Sequence, residues 1–135
     1  MTTAPVGAHA HSTTTGLGFD EAVARTEAAL AQEGFGVLSR IDVAATLRAK
    51  LGVDREPYLI LGACNPTLAH GALQAEPTVG VLLPCNVVVR VEDGVTYVEA
   101  VSAEKMLGVV GREELRETAV EVDERLRRVV AAVAM

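Results

Sequence analysis

The segment between Pro57 and Pro66 constrains this chain more than any other. Residues 58–63, Tyr-Leu-Ile-Leu-Gly-Ala, form an unbroken apolar run between Pro57 and the pair Asn65-Pro66. A short run without alternation is the pattern of a strand covered on both faces. Asn65-Pro66 is a helix start: the Asn side chain caps, and Pro at the first helical position has no N–H to lose. Composition points the same way. Half the residues are apolar, chiefly Ala, Val and Leu, with two Phe, two Tyr and no Trp. A core built from such small side chains favours dense packing of helices on a sheet.

The flanking segments supply the other elements. Residues 1–5 read as a frayed end, and 9–15 as a short edge strand with a β-branched finish. Phe19, Val23, Thr26 and Leu30 recur at helical spacing, and Gly34 suits the left-handed C-cap of a helix over 20–33. Residues 35–41 read as a strand. Asp42 caps a second helix with Val43, Leu47 and Leu51 on one face and Gly52 as its stop. Leu68, Ala69, Ala72 and Leu73 give the helix after Asn65 its buried side, until Glu76-Pro77 ends it. Residues 79–83 and 85–91 read as one strand interrupted at Pro84, or as two, because Pro cannot donate to a ladder. Glu92-Asp93-Gly94 turns the chain into a hairpin with 95–101, and Ser102 caps a short helix to about Leu107. The longest helix spans 112–133, with Leu115, Ala119, Val122, Leu126, Val129 and Val133 as its stripe. That stripe reads first as packing on the sheet, with a dimer seam as the sharper alternative.

These elements give an α+β fold: a mixed, mostly antiparallel sheet packed against helices, with a long C-terminal amphipathic helix. At 135 residues the chain suits a single compact domain over 17–135, residues 1–16 forming the N-terminal end and edge strand. Eighteen acidic side chains against twelve basic ones leave a formal charge of −6, which repels a polyphosphate backbone, so no nucleic acid is expected as a partner. No apolar run reaches the roughly 20 residues that cross a bilayer, so no membrane is expected either. The first residues lack a basic stretch followed by an apolar one. The two cysteines then read as thiols, and the expected location is the cytoplasm.

Three segments carry a family resemblance: Gly34-Phe35-Gly36-Val37, Leu61-Gly62-Ala63-Cys64-Asn65-Pro66 and Leu82-Leu83-Pro84-Cys85-Asn86-Val87. Ile41-Asp42-Val43 as a helix start and Leu51-Gly52 as its stop fit with them. Together they resemble the domain of unknown function 302 family over about 17–130, and Gly-Ala-Cys-Asn-Pro is the distinctive part. The resemblance implies helices against a mostly antiparallel sheet, usually in a dimer, and implies no particular activity.

Candidate chemistry gathers at the two Cys-Asn pairs. Cys64 leads into a helix N-terminus, where free N–H groups and the dipole favour a thiolate. If the strand ending at Cys64 runs antiparallel to the one beginning near Cys85, both sulfurs meet at one end of the sheet. Two readings follow. In the first, the chain is a dimeric binding module with a pocket for a small ligand or metal at Cys64, Asn65, Pro66, Pro84, Cys85 and Asn86. In the second, it is a thiol redox enzyme or sulfur carrier in which Cys64 attacks and Cys85 resolves. Buried cysteine is also a common apolar filler, the bland reading of each. His70, a turn beyond Cys64, joins the two cysteines as a candidate metal ligand; His9 and His11, two apart in a strand, form a separate candidate pair. No cofactor is identified. No Gly-x-Gly-x-x-Gly, Walker-type or Gly-x-Ser-x-Gly motif occurs. Glu56, Glu76 and Asp93 read as solvated loop residues, and Tyr58 and Tyr97 as half-buried strand residues.

Overall fold

The computed structural model of the protein describes residues 7–134, and the expected frayed end over 1–5 lies outside them. In chain order the elements are β1 (Ala10–Thr15), α1 (Phe19–Gln32), β2 (Gly36–Asp42), α2 (Val43–Leu51), β3 (Tyr58–Cys64), α3 (Pro66–Ala75), a 3-10 segment (Pro77–Leu82), β4 (Cys85–Glu92), β5 (Val95–Val101), α4 (Ala103–Gly108), a 3-10 turn (Glu113–Leu115) and α5 (Arg116–Val133). Five strands make one antiparallel sheet in the order β1-β5-β4-β3-β2. β3 is an interior strand, but its apolar run is not covered evenly on both faces: Leu59, Leu61 and Ala63 enter the core while Tyr58, Ile60 and Cys64 are half-buried; β1 is an edge. The fold is the expected α+β class.

Helices and sheet close around side chains that alternate inward. Leu59, Leu61 and Ala63 of β3, Val87 and Val89 of β4, and Val98 and Ala100 of β5 meet Ala22, Val23 and Leu30 of α1 in one core. α5 completes it with Ala119, Val122, Leu126, Val129 and Val133, all buried. That helix packs on α1, α4, β1 and β5. The stripe is therefore used within the chain, and the dimer-seam alternative falls away. On the opposite face of the sheet, Arg90 stacks on the Tyr97 ring at 4.2 Å and forks onto Glu99 at 2.8 and 3.1 Å.

Two expectations are corrected. Residues 79–83 are not strand, because Glu76 accepts from Thr78 N and Pro77 starts the 3-10 turn. That turn buries Val79 and leaves Val81 facing solvent. The helix expected from 112 becomes a 3-10 turn followed by α5 from Arg116. The face Val43–Leu47–Leu51 of α2 has no buried residue, although the helix packs beside β3. The hairpin between β4 and β5 turns at Asp93 and Gly94, both with positive φ, and Glu56 clamps it by accepting from both N–H groups. Among the described residues no helix is long and apolar enough to cross a membrane.

Candidate functional site

β3 and β4 run antiparallel, so Cys64 and Cys85 do come to one end of the sheet. Cys85 stands opposite Ala63, so Cys64 lies one residue beyond the position that Cys85 pairs with. Their surroundings differ. Cys64, the last residue of β3, is half-buried, whereas Cys85 lies in the core. Burial pushes the Cys85 thiol up to about 11, with Cys64 and then Asp123 adding smaller increments.

The asparagines are equally unlike. Asn65 Oδ1 accepts from Leu68 N at 3.1 Å, capping α3. Its Nδ2 donates at 3.5 Å to the Glu33 carbonyl at the end of α1. Arg125 Nη1 donates to the same carbonyl at 2.8 Å. Gly34 follows with φ +84°, and a Cβ there would lie 2.9 Å from Asn65 Nδ2. Asn65 thus fastens the start of α3 to the end of α1, and its amide is occupied by that work. Asn86, opposite Gly62, is exposed. Pro66 fills the first turn of α3, and the Pro84 ring covers Gly62, where a Cβ would come within 2.9 Å of Pro84 Cγ.

Behind Cys64 lies a recess of about 30 Å³, lined by Phe35, Leu68, Ala72, Leu83, Pro84 and Val122. It has room for one or two water-sized groups, and its walls are apolar. His70 is exposed on α3. Among the described residues no three of His, Cys, Asp and Glu converge to hold a metal ion, so His70 does not join the cysteines in such a group. His9 is exposed; His11 points into a different site.

That site was not legible in the sequence. His11 Nε2 lies 3.0 Å from Oδ1 of Asp123, whose side chain is fully buried. Asp123 also accepts from Ala103 N at 2.6 Å, Glu104 N at 3.1 Å and Ser102 Oγ at 3.3 Å. Burial works to raise the Asp123 carboxyl, but these donors outweigh it and hold the group below its usual range. One carboxylate therefore ties β1, the start of α4 and α5 together. The available signal was an acid set among the buried residues of the α5 stripe, directly after Val122.

The comparisons agree on the fold. The chain matches the model for "Domain of unknown function DUF302" over residues 11–133. A crystal structure of an uncharacterized conserved DUF302 protein from Bacillus stearothermophilus is similar with a TM-score of 0.88. It is 32% identical to this chain, over 94% of this chain and 99% of that one. No curated protein matches.

Proposed function

The chain belongs to the DUF302 family, and from that premise we propose that it is a small-ligand binding module, acting as a homodimer in the cytoplasm, whose ligand enters at Cys64. Family membership supplies a fold and no reaction, so the reading rests on the site. The observation that carries it is the asymmetry of the thiols. Cys64 forms part of the wall of an apolar recess while remaining accessible, and Cys85 is a buried neighbour. Pro84 shares that wall, Asn65 and Pro66 position Cys64 at the mouth of α3, and Asn86 lies outside the recess. The ligand therefore presents a narrow apolar end to the recess, beside a soft sulfur.

The redox or sulfur-carrier alternative needs Cys85 as a second nucleophile. With its pKa near 11, the thiolate fraction at pH 7 is on the order of one in ten thousand. Alkylation with iodoacetamide separates the two readings. Native protein should take one label, at Cys64, with Cys85 modified only after unfolding. Equal labelling of both thiols in folded protein would favour the relay and count against the binding reading.

Support for the dimer lies at the β2 edge. Among the described residues seven large apolar side chains are exposed, and four of them, Leu38, Ile41, Leu51 and Val53, belong to β2, α2 and the residues just after them. An exposed apolar cluster beside an unpaired edge is a surface that association covers. Sedimentation should give twice the 14.1 kDa chain mass, and the double variant Leu38→Lys/Ile41→Lys should sediment as the monomer. A wild-type protein that is monomeric throughout would remove the dimer from the proposal.

A further inference from the structure

The clamp formed by Asp123 explains one side of the His11 ring and leaves the other without a task. Nε2 is bound to Asp123, while Nδ1 has no hydrogen-bond partner among the described residues. No buried side-chain nitrogen or oxygen there goes without a partner, so Nδ1 is open to solvent. His11 lines a groove of about 760 Å³ between α4 and α5, and Leu107 belongs both to its wall and to that of the Cys64 recess. Its volume falls within the range of small-molecule sites.

The charge of the groove runs against that of the chain. Lys105, Arg112, Arg116 and Arg127 line it, opposed by Glu104 and Glu113, in a protein with net charge −6. Lys105 has no ion-pair partner among the described residues. Arg116 pairs with Glu113 through side chains 74% and 77% exposed, and Arg127 reaches Glu104 only at 3.6 Å. Exposed pairs of this kind contribute little, so a ligand anion can replace the carboxylate partner at small cost. Arg112 is more firmly held, donating to Glu76, to Glu114 and to the Ala75 carbonyl.

Asp123 also sets what His11 offers. An ionised carboxylate at Nε2 requires the proton on that nitrogen, so the neutral ring shows a lone pair at Nδ1. An acceptor beside the unpaired Lys105 and the weakly paired Arg116 is complementary to a molecule carrying both a hydroxyl and a negative charge. We propose that the α4–α5 groove binds a small hydroxylated anion, whose hydroxyl donates to His11 Nδ1 and whose carboxylate or phosphate meets Lys105 and Arg116. Both anionic groups satisfy the same cations, because guanidinium forks fit either one.

The test is a titration of isotopically labelled protein with D-glycerate and, separately, glycerol 3-phosphate, followed by NMR at the His11 ring, Lys105 and Arg116. Saturable shifts at these residues are expected, and the tighter probe identifies the anionic group. Propionate and methyl phosphate, which lack the hydroxyl, should bind more weakly than their counterparts. His11→Gln keeps a donor for Asp123 but places no nitrogen at the Nδ1 position, and Lys105→Ala removes an unpaired cation. Each variant should weaken binding by about tenfold, the loss of one polar contact, and should melt like the wild type. Shifts that do not saturate with either probe, or binding that both variants leave unchanged, would overturn the proposal.

Discussion

Asp123→Ala should destabilise the protein by about 3–5 kcal/mol, the usual consequence of removing one partner from a buried charged network. The carboxylate is fully buried and accepts from His11, Ser102 and two backbone N–H groups at the start of α4. Alanine would leave those donors facing a cavity without an acceptor, and each unsatisfied buried group costs about 1–3 kcal/mol. A domain stable by about 5–15 kcal/mol would remain folded but marginal. The pH dependence has a definite sign. The folded-state pKa of Asp123 lies below its ordinary value, so its contribution is complete above the unfolded pKa of about 3.9 and disappears as pH falls through the folded one. Urea melts of wild type and variant should therefore differ most at neutral pH and converge in strong acid. Asp123→Asn should lie between the two, because its amide keeps one acceptor oxygen and turns a nitrogen towards the donors.

Gly62→Val should cost about 1–3 kcal/mol, the penalty for forcing extra groups against close-packed neighbours, and should also disturb the Cys64 recess. A Cβ at Gly62 collides with Ser39 Oγ and comes within 2.9 Å of Pro84 Cγ. Ser39 can turn outward on its edge strand, but the Pro84 ring cannot rotate away, and valine adds two methyl groups to the same space. Pro84 also lines the recess, so its displacement should change the rate of Cys64 alkylation alongside the loss of stability. Gly36→Ala is the matched control. It lies on the neighbouring strand with open space at its Cβ position and no positive φ, so it should be neutral or slightly stabilising. Equal losses in the two variants would mean that strand glycine in general, and not contact with Pro84, sets the cost.

Local chemistry was legible in the sequence, and long-range chemistry was not. The run over 58–63, the Asn65 cap and the Asp93-Gly94 hairpin all depend on residues within a few positions of one another, and each formed where it was expected. Residues 79–83 misled because two valines and two leucines resemble a strand, whereas Glu76 and Pro77, just before them, set a 3-10 turn. That Cys64 and Cys85 share one end of the sheet followed from the antiparallel pairing that the sequence reading posed as a condition. Their difference did not, since it depends on register and on what α3 and α5 lay over each thiol. Least legible was the bond from His11 to Asp123, which joins residues 112 positions apart. No periodicity reports such a pair; only an acid inside an apolar stripe hints that a partner exists.

Native mass spectrometry tests the central proposal, a ligand site at Cys64, most directly. Protein purified without oxygen or chelator would be compared with its Cys64→Ser form, in which only the sulfur is exchanged. The proposal predicts a bound mass on the wild-type assembly that is missing from the variant. A wild-type assembly carrying nothing beyond its own chains, and indistinguishable from Cys64→Ser apart from the sulfur-to-oxygen difference, would contradict it.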